Sequence, residues 1–225
     1  MARLIPLLAC VFLGVAPASA ETYTIEGRRL TIEPPEGYCL LDPNVPGEKR
    51  VTKMYKAILA EKNLMLQLFM DCDELANARD SSVRSIGRYG MITLPLRDGG
   101  ILEIELSRAD YLDAIAEMMA RMPVAAARMD ADFDEKIANI VPYAVDGNTQ
   151  VMGVMARDDE ALYSGLLHNP AGDGSDALNA GLIGLTVVKG LPIALNLFRP
   201  FVDASTYRDL HHDSRAIIAD LIARN

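Results

Sequence analysis

Apolar and polar residues alternate along this chain with two periods, and the switches between them mark its elements. Tyr23, Ile25, Leu30 and Ile32 alternate with polar neighbours about Gly27, which predicts a hairpin that Pro34-Pro35-Glu36-Gly37 stops. From about Glu48 to Ala60 the period lengthens. Val51, Met54, Tyr55 and Ile58 recur at spacings of three and four, predicting a helix with that stripe inward. Asn63 to Asp71 returns to period two, placing Leu64, Leu66, Leu68 and Met70 on one inward face with Cys72 at its end.

Arg88 to Leu96 is a further strand, ended by Pro95 and Gly99-Gly100, and the apolar/acidic alternation of Ile101 to Leu106 is placed to pair with it. Ser107, with Asp110 three residues on, resembles a capping box and opens a helix that runs through Met122 to Pro123. A second helix is expected over Val124 to Ile140. Gln150 to Ala156 and Ala161 to Leu167 flank the charged turn Arg157-Asp158-Asp159-Glu160 and read as a hairpin. At the C-terminus Ser205 or Thr206 caps a helix whose stripe is Tyr207, Leu210, Ser214, Ile217, Ile218, Leu221 and Ile222.

Ala177 to Phe198 is apolar over a length that would span a bilayer. Lys189-Gly190 near its middle, with Pro192 just beyond, argues against that, because a lysine at the bilayer centre costs about 2.5 to 3.5 kcal/mol. Leu191, Ile193, Leu195 and Leu197 alternate after the Lys-Gly pair, so a buried hairpin is expected instead. No transmembrane segment is expected in the mature chain. Hairpin, helix, antiparallel strands, hairpin and closing helix is an α+β order: an antiparallel sheet with packed helices and a C-terminal helix, in one domain over residues 21–225. The opening hairpin leading into Pro35-Glu36-Gly37-Tyr38, and the Leu185-Thr186-Val187-Val188-Lys189-Gly190 hairpin followed by a helix, resemble the PsbP-like sandwich domains of exported proteins. That resemblance implies a fold and no catalytic residue.

The first twenty residues set the compartment. Arg3, an apolar run from Leu4 to Val15, and Ala16-Pro17-Ala18-Ser19-Ala20 before Glu21 form the three regions of a secretory signal peptide, cleaved between Ala20 and Glu21. Leu7-Leu8-Ala9-Cys10 resembles a lipobox only loosely, since Val11-Phe12-Leu13 continues the apolar run past the cysteine. A periplasmic location is therefore expected. Cleavage removes one charged residue, Arg3, from a chain with 22 basic and 31 acidic residues, leaving 21 against 31, or −10. That balance argues against nucleic acid as a partner, because phosphate backbones are held by clustered Lys and Arg. Cys39 and Cys72 alone survive cleavage. In an oxidising space they are expected to pair, closing a loop of 34 residues counted inclusively and stabilising the fold by about 3 to 4 kcal/mol.

Chemistry is sparse. His168 follows Ser164 by four in a strand, about 13 Å away and too far for a serine–base hydrogen bond. His211 lies at the edge of the last helix's stripe and His212 faces solvent. A hydrolase-type enzyme would have to use His168 or His211 with carboxylates that sequence cannot place. Asp130, Asp132 and Asp134 begin like a calcium loop, but Glu135 and Val141 stand where the glycine and the bidentate Glu belong. Met118, Met119 and Met122 offer soft thioethers for copper, although methionine fills cores as readily. One feature opposes the acidic average: Lys49, Arg50, Lys53, Lys56 and Lys62 fall within fourteen positions, and Lys49, Lys53 and Lys56 share a helix face. The sequence thus predicts an exported, non-catalytic binding or accessory protein without a cofactor, with Lys49, Arg50, Lys53 and Lys56 as the candidate site for an envelope protein or anionic ligand.

Overall fold

The computed structural model describes residues 20–80, 87–121, 144–146, 149–168 and 178–225. Residues 1–19 of the leader, the helix expected over Val124 to Ile140, Met122 and the Asp130–Asp134 run lie outside these. In chain order come β1 (Glu21–Ile25), β2 (Arg28–Ile32), β3 (Tyr38–Leu40), α1 (Pro46–Leu59), β4 (Asn63–Asp71), α2 (Cys72–Asp80), β5 (Tyr89–Arg97) and β6 (Gly100–Ile101). They are followed by α3 (Arg108–Ala120), β7 (Ala144–Asp146), β8 (Thr149–Arg157), β9 (Leu162–His168), β10 (Asn179–Val188), β11 (Leu191–Pro200) and α4 (Ser205–Ala223). The main sheet runs β3-β4-β5-β11-β10-β9-β8-β7, with β6 beside the end of β5, and β1-β2 form a separate ribbon. Every pairing among the described residues is antiparallel. This is the α+β class expected.

Three hairpins turn on local chemistry. Glu26-Gly27, Asp98-Gly99 and Lys189-Gly190 all have positive φ at both positions, which suits a two-residue turn whose twist matches the strands. The apolar segment Ala177 to Phe198 is accordingly β10 and β11, paired from Asn179↔Pro200 to Val188↔Leu191. No helix among the described residues is long and apolar enough to cross a membrane.

Pleating sorts the sheet's side chains to two faces. On one face, Leu182 of β10 and Leu191, Ile193, Leu195 and Leu197 of β11 bury against Tyr207, Leu210, Ile218 and Leu221 of α4. The β1-β2 ribbon covers the rest of that face with Ile25, Leu30 and Ile32. On the other face, Val187 and Leu185 meet Tyr111 and Leu112 of α3. Farther along it, Met65, Leu68, Met70 and Met91 meet Val51, Tyr55 and Leu59 of α1 and Leu75 of α2. At the C-terminus Asn225 Oδ1 accepts the Thr31 amide at 2.9 Å, and Asn225 Nδ2 donates to Thr31 O at 2.9 Å, so the last residue extends the ribbon's bonding. Lys189 Nζ donates to Arg29 O at 2.6 Å and Arg224 pairs with Glu33 at 2.7 Å.

Several expectations are corrected. The inward row of α1 is Val51, Tyr55 and Leu59, whereas Met54 is 50% and Ile58 71% exposed. Both rows fit a period near 3.6, and packing on β4 selects the one that includes Leu59. In β4 a bulge between Met65 and Gln67 breaks the alternation. Met65, Leu68 and Met70 therefore share the α1 face, Leu66 packs into the α4 core, and Leu64 is 40% exposed. Ile101 to Leu106 pairs only through Gly100–Ile101, because β11 occupies that edge of β5 from Thr93 back to Tyr89. At α4 the N-cap is Ala204, with no side-chain cap. Asp203 Oδ1 instead accepts the Ser205 amide, and Thr206 Oγ1 accepts the Val202 amide. Ser107 does cap α3, accepting from the Asp110 amide.

Cys39 and Cys72 are joined, with Cα atoms 5.0 Å apart. The bridge ties edge strand β3 to the first residue of α2, an element the periodicity did not predict because Leu75 is its only buried residue. A capping signal was nevertheless there: Asp71 Oδ1 accepts the amides of Asp73 and Glu74.

Candidate functional site

Four rows of side chains, each at i, i+4 spacing, define α1. Val51-Tyr55-Leu59 enters the core. Beside it on one flank lies Thr52-Lys56, on the other Arg50-Met54-Ile58, and outermost Lys49-Lys53-Ala57. Lys49, Thr52, Lys53 and Lys56 form one wall of a cleft of about 330 Å³, floored by Met65, Leu66, Gln67 and Leu68 of β4 and closed by Glu21 of β1. The three lysines are exposed, and among the described residues none of them makes an ion pair. Opposing charge comes from Glu21, whose carboxylate accepts the Tyr23 hydroxyl. Burial and that acid neighbour push the Tyr23 pKa well above its ordinary value. Gln67 lies under the floor, donating to Ile32 O at 3.4 Å.

Arg50, grouped with the lysines by sequence, lines a different groove. That space, about 480 Å³ between α1 and α2, is bounded by Leu41, Val45, Val51, Met70, Leu75 and Ala78. One end is closed by buried Glu48, which takes Arg79 through both oxygens at 2.6 and 3.0 Å and also accepts the Asp42 amide. So the structure brings Lys49, Lys53 and Lys56 together and separates Arg50 from them. Lys62 sits past the helix end, where its carbonyl accepts the Leu96 amide.

The histidines do not converge. His211 borders a depression of about 540 Å³ on α4, shared with Glu160, Arg208, His212 and Arg215. Its ring meets Tyr163 edge-on at 4.7 Å. Burial, then the Arg215 charge, hold its pKa below the ordinary 6.5. Asp158, whose charge favours a proton on His211, is committed to the β8–β9 turn: its Oδ1 accepts the Glu160 and Ala161 amides, while Oδ2 accepts the Tyr163 hydroxyl and pairs with Arg215 at 3.0 Å. That carboxylate–tyrosine–arginine group was not foreseen, and its one local sign was the Asp158 turn. His168 ends β9 on the opposite face of the sheet from Tyr163 and His211, since it alternates with Leu167. Ser164 donates to Gly153 O at 3.1 Å inside the sheet.

Methionine is mostly core material: Met65, Met70, Met91, Met152 and Met155 are all buried. Of the copper candidates, Met119 packs against the α3 cluster while Met118 is 49% exposed, so the two point into different surroundings. Among the described residues no group of three or more His, Cys, Asp or Glu is placed to hold a metal ion. Comparison with known proteins gives no further guide: no family model and no curated protein matches the chain.

Proposed function

We propose that the chain is an exported, non-catalytic binding or accessory protein of the cell envelope that engages an anionic ligand through Lys49, Lys53 and Lys56. The observation that carries this reading is the convergence of three exposed cations, without an ion pair among the described residues, on a walled cleft in a chain of net charge −9. Cations left without partners keep their full charge for a ligand. Export is supported by the joined Cys39 and Cys72 and by the start of β1 at Glu21, the first residue after the expected cleavage point. The likeness to PsbP-like domains rests on element order and enters only as a fold analogy. An enzyme has less support, because His168 ends β9 on the face of the sheet away from α4, which carries His211, and Asp158 is occupied in its turn.

Titration with poly-glutamate tests the proposal. Lys49→Gln/Lys53→Gln/Lys56→Gln should weaken binding at least tenfold and flatten its salt dependence, with the melting temperature unchanged because all three side chains are exposed. Equal binding by the triple variant would refute it.

A further inference from the structure

Exposed apolar side chains gather where the exposed cations are. Met54, Ile58 and Leu64 are half of the six large hydrophobic residues exposed among the described residues, and they lie within eleven positions of one another. Met54 and Ile58 continue the row begun by Arg50, and the neighbouring outward row is Lys49, Lys53 and Ala57. The outer surface of α1 is therefore cationic in its first half and apolar in its second. Lys62 follows the apolar end in sequence, with Glu61 beside it. A partner that only paired charge would gain nothing from Met54 and Ile58, which stand in water without it.

We infer that this end of α1 rests on an anionic lipid surface, with Met54, Ala57 and Ile58 entering the acyl boundary and Lys49, Arg50, Lys53 and Lys62 on the headgroup phosphates. The inference rests on the anion-binding reading above and names the source of the anion. Interfacial helices join an apolar face to basic residues, because apolar burial and attraction to acidic headgroups act together. Long lysine stems reach the phosphates from the helix flanks while the shorter apolar side chains go deeper. The contact is peripheral: α1 has its core row, Val51-Tyr55-Leu59, packed on β4, so the helix lies on the surface without leaving the fold.

Vesicle co-sedimentation of the purified protein decides the matter, using phosphatidylglycerol/phosphatidylcholine vesicles, phosphatidylcholine vesicles and poly-glutamate in parallel. The wild type should sediment with the anionic vesicles and stay free of the neutral ones. Lys49→Gln/Lys53→Gln/Lys56→Gln should weaken vesicle binding roughly a hundredfold at low salt. Met54→Ser/Ile58→Ser should weaken it at least tenfold while leaving poly-glutamate binding unchanged. Vesicle binding that ignores Met54 and Ile58 would overturn the lipid inference and leave the anion-binding reading intact, with a soluble or protein-borne anion as its ligand. Binding to neither vesicles nor poly-glutamate would overturn both.

Discussion

At the scale of single residues, His211 gives the fold a dependence on pH. Its ring lies against Tyr163, with Arg215 and His212 opposing a proton and Asp158 favouring it; Glu160 and Arg208 border the same depression. Burial, the largest influence, disfavours the charged form, so the folded-state pKa is depressed. The sign follows from linkage: the neutral ring's contribution is complete above the ordinary value of 6.5 and is lost as pH falls below it. His211→Phe keeps an aromatic edge on Tyr163 and removes the titration. Melting curves between about pH 7 and about pH 5 should slope less for that variant than for the wild type. Parallel curves would show that α4 docking is indifferent to this group. Tyr163, Tyr89 and Tyr207 act at the other limit, since burial raises each of them and the neutral phenol is the form the fold accepts.

Among the elements, β3 is a three-residue edge strand and illustrates what a disulfide does. Three residues pair with Phe69, Met70 and Asp71 on the sheet edge, and Cys39 fixes the strand to Cys72. Breaking the link with Cys39→Ala/Cys72→Ala should lower unfolding free energy by about 3 to 4 kcal/mol, read from denaturant midpoints at constant slope. An unchanged midpoint would mean that the Glu48–Arg79 pair and the β3–β4 ladder hold the region alone. Elements were legible in the sequence where a local signal specified them. Gly27 and Lys189-Gly190 announce their hairpins through a glycine that takes positive φ without strain, whereas the turn after β5, read at Gly99-Gly100, falls at Asp98-Gly99. The α4 stripe was legible because its apolar residues recur over five turns. Legibility ended where tertiary packing chose between equal patterns: two rows of α1 fitted one period, and the β4 bulge has no residue signature. The lysine face could be read from spacing, but the cleft could not. Its wall, floor and closing residue come from α1, β4 and β1, and only folding brings those segments together.

The whole molecule is a sheet covered on one face by α1, α2 and α3 and on the other by α4 and the β1-β2 ribbon. The ribbon makes no ladder with the main sheet. Ile25, Leu30 and Ile32 anchor it through burial, and Asn225 anchors it through hydrogen bonds to Thr31. Asn225→Ala should speed amide exchange at Thr31 and its neighbours, leave β10 and β11 at wild-type rates, and reduce stability by about 1 to 2 kcal/mol. Uniform acceleration across the sheet would instead make the ribbon part of a single opening unit. Separating these outcomes needs only residue-resolved exchange on the two proteins.

The contact between Thr31 and Asn225 spans 194 positions, so making it closes a loop over most of the chain. Ile25, Leu30 and Ile32 share their cluster with Phe69, Ile92 and Leu94 as well as with α4, so the ribbon has apolar support apart from that bond. Closure of so long a loop gains little from the bonds themselves and relies on the apolar contacts that bring the two stretches side by side.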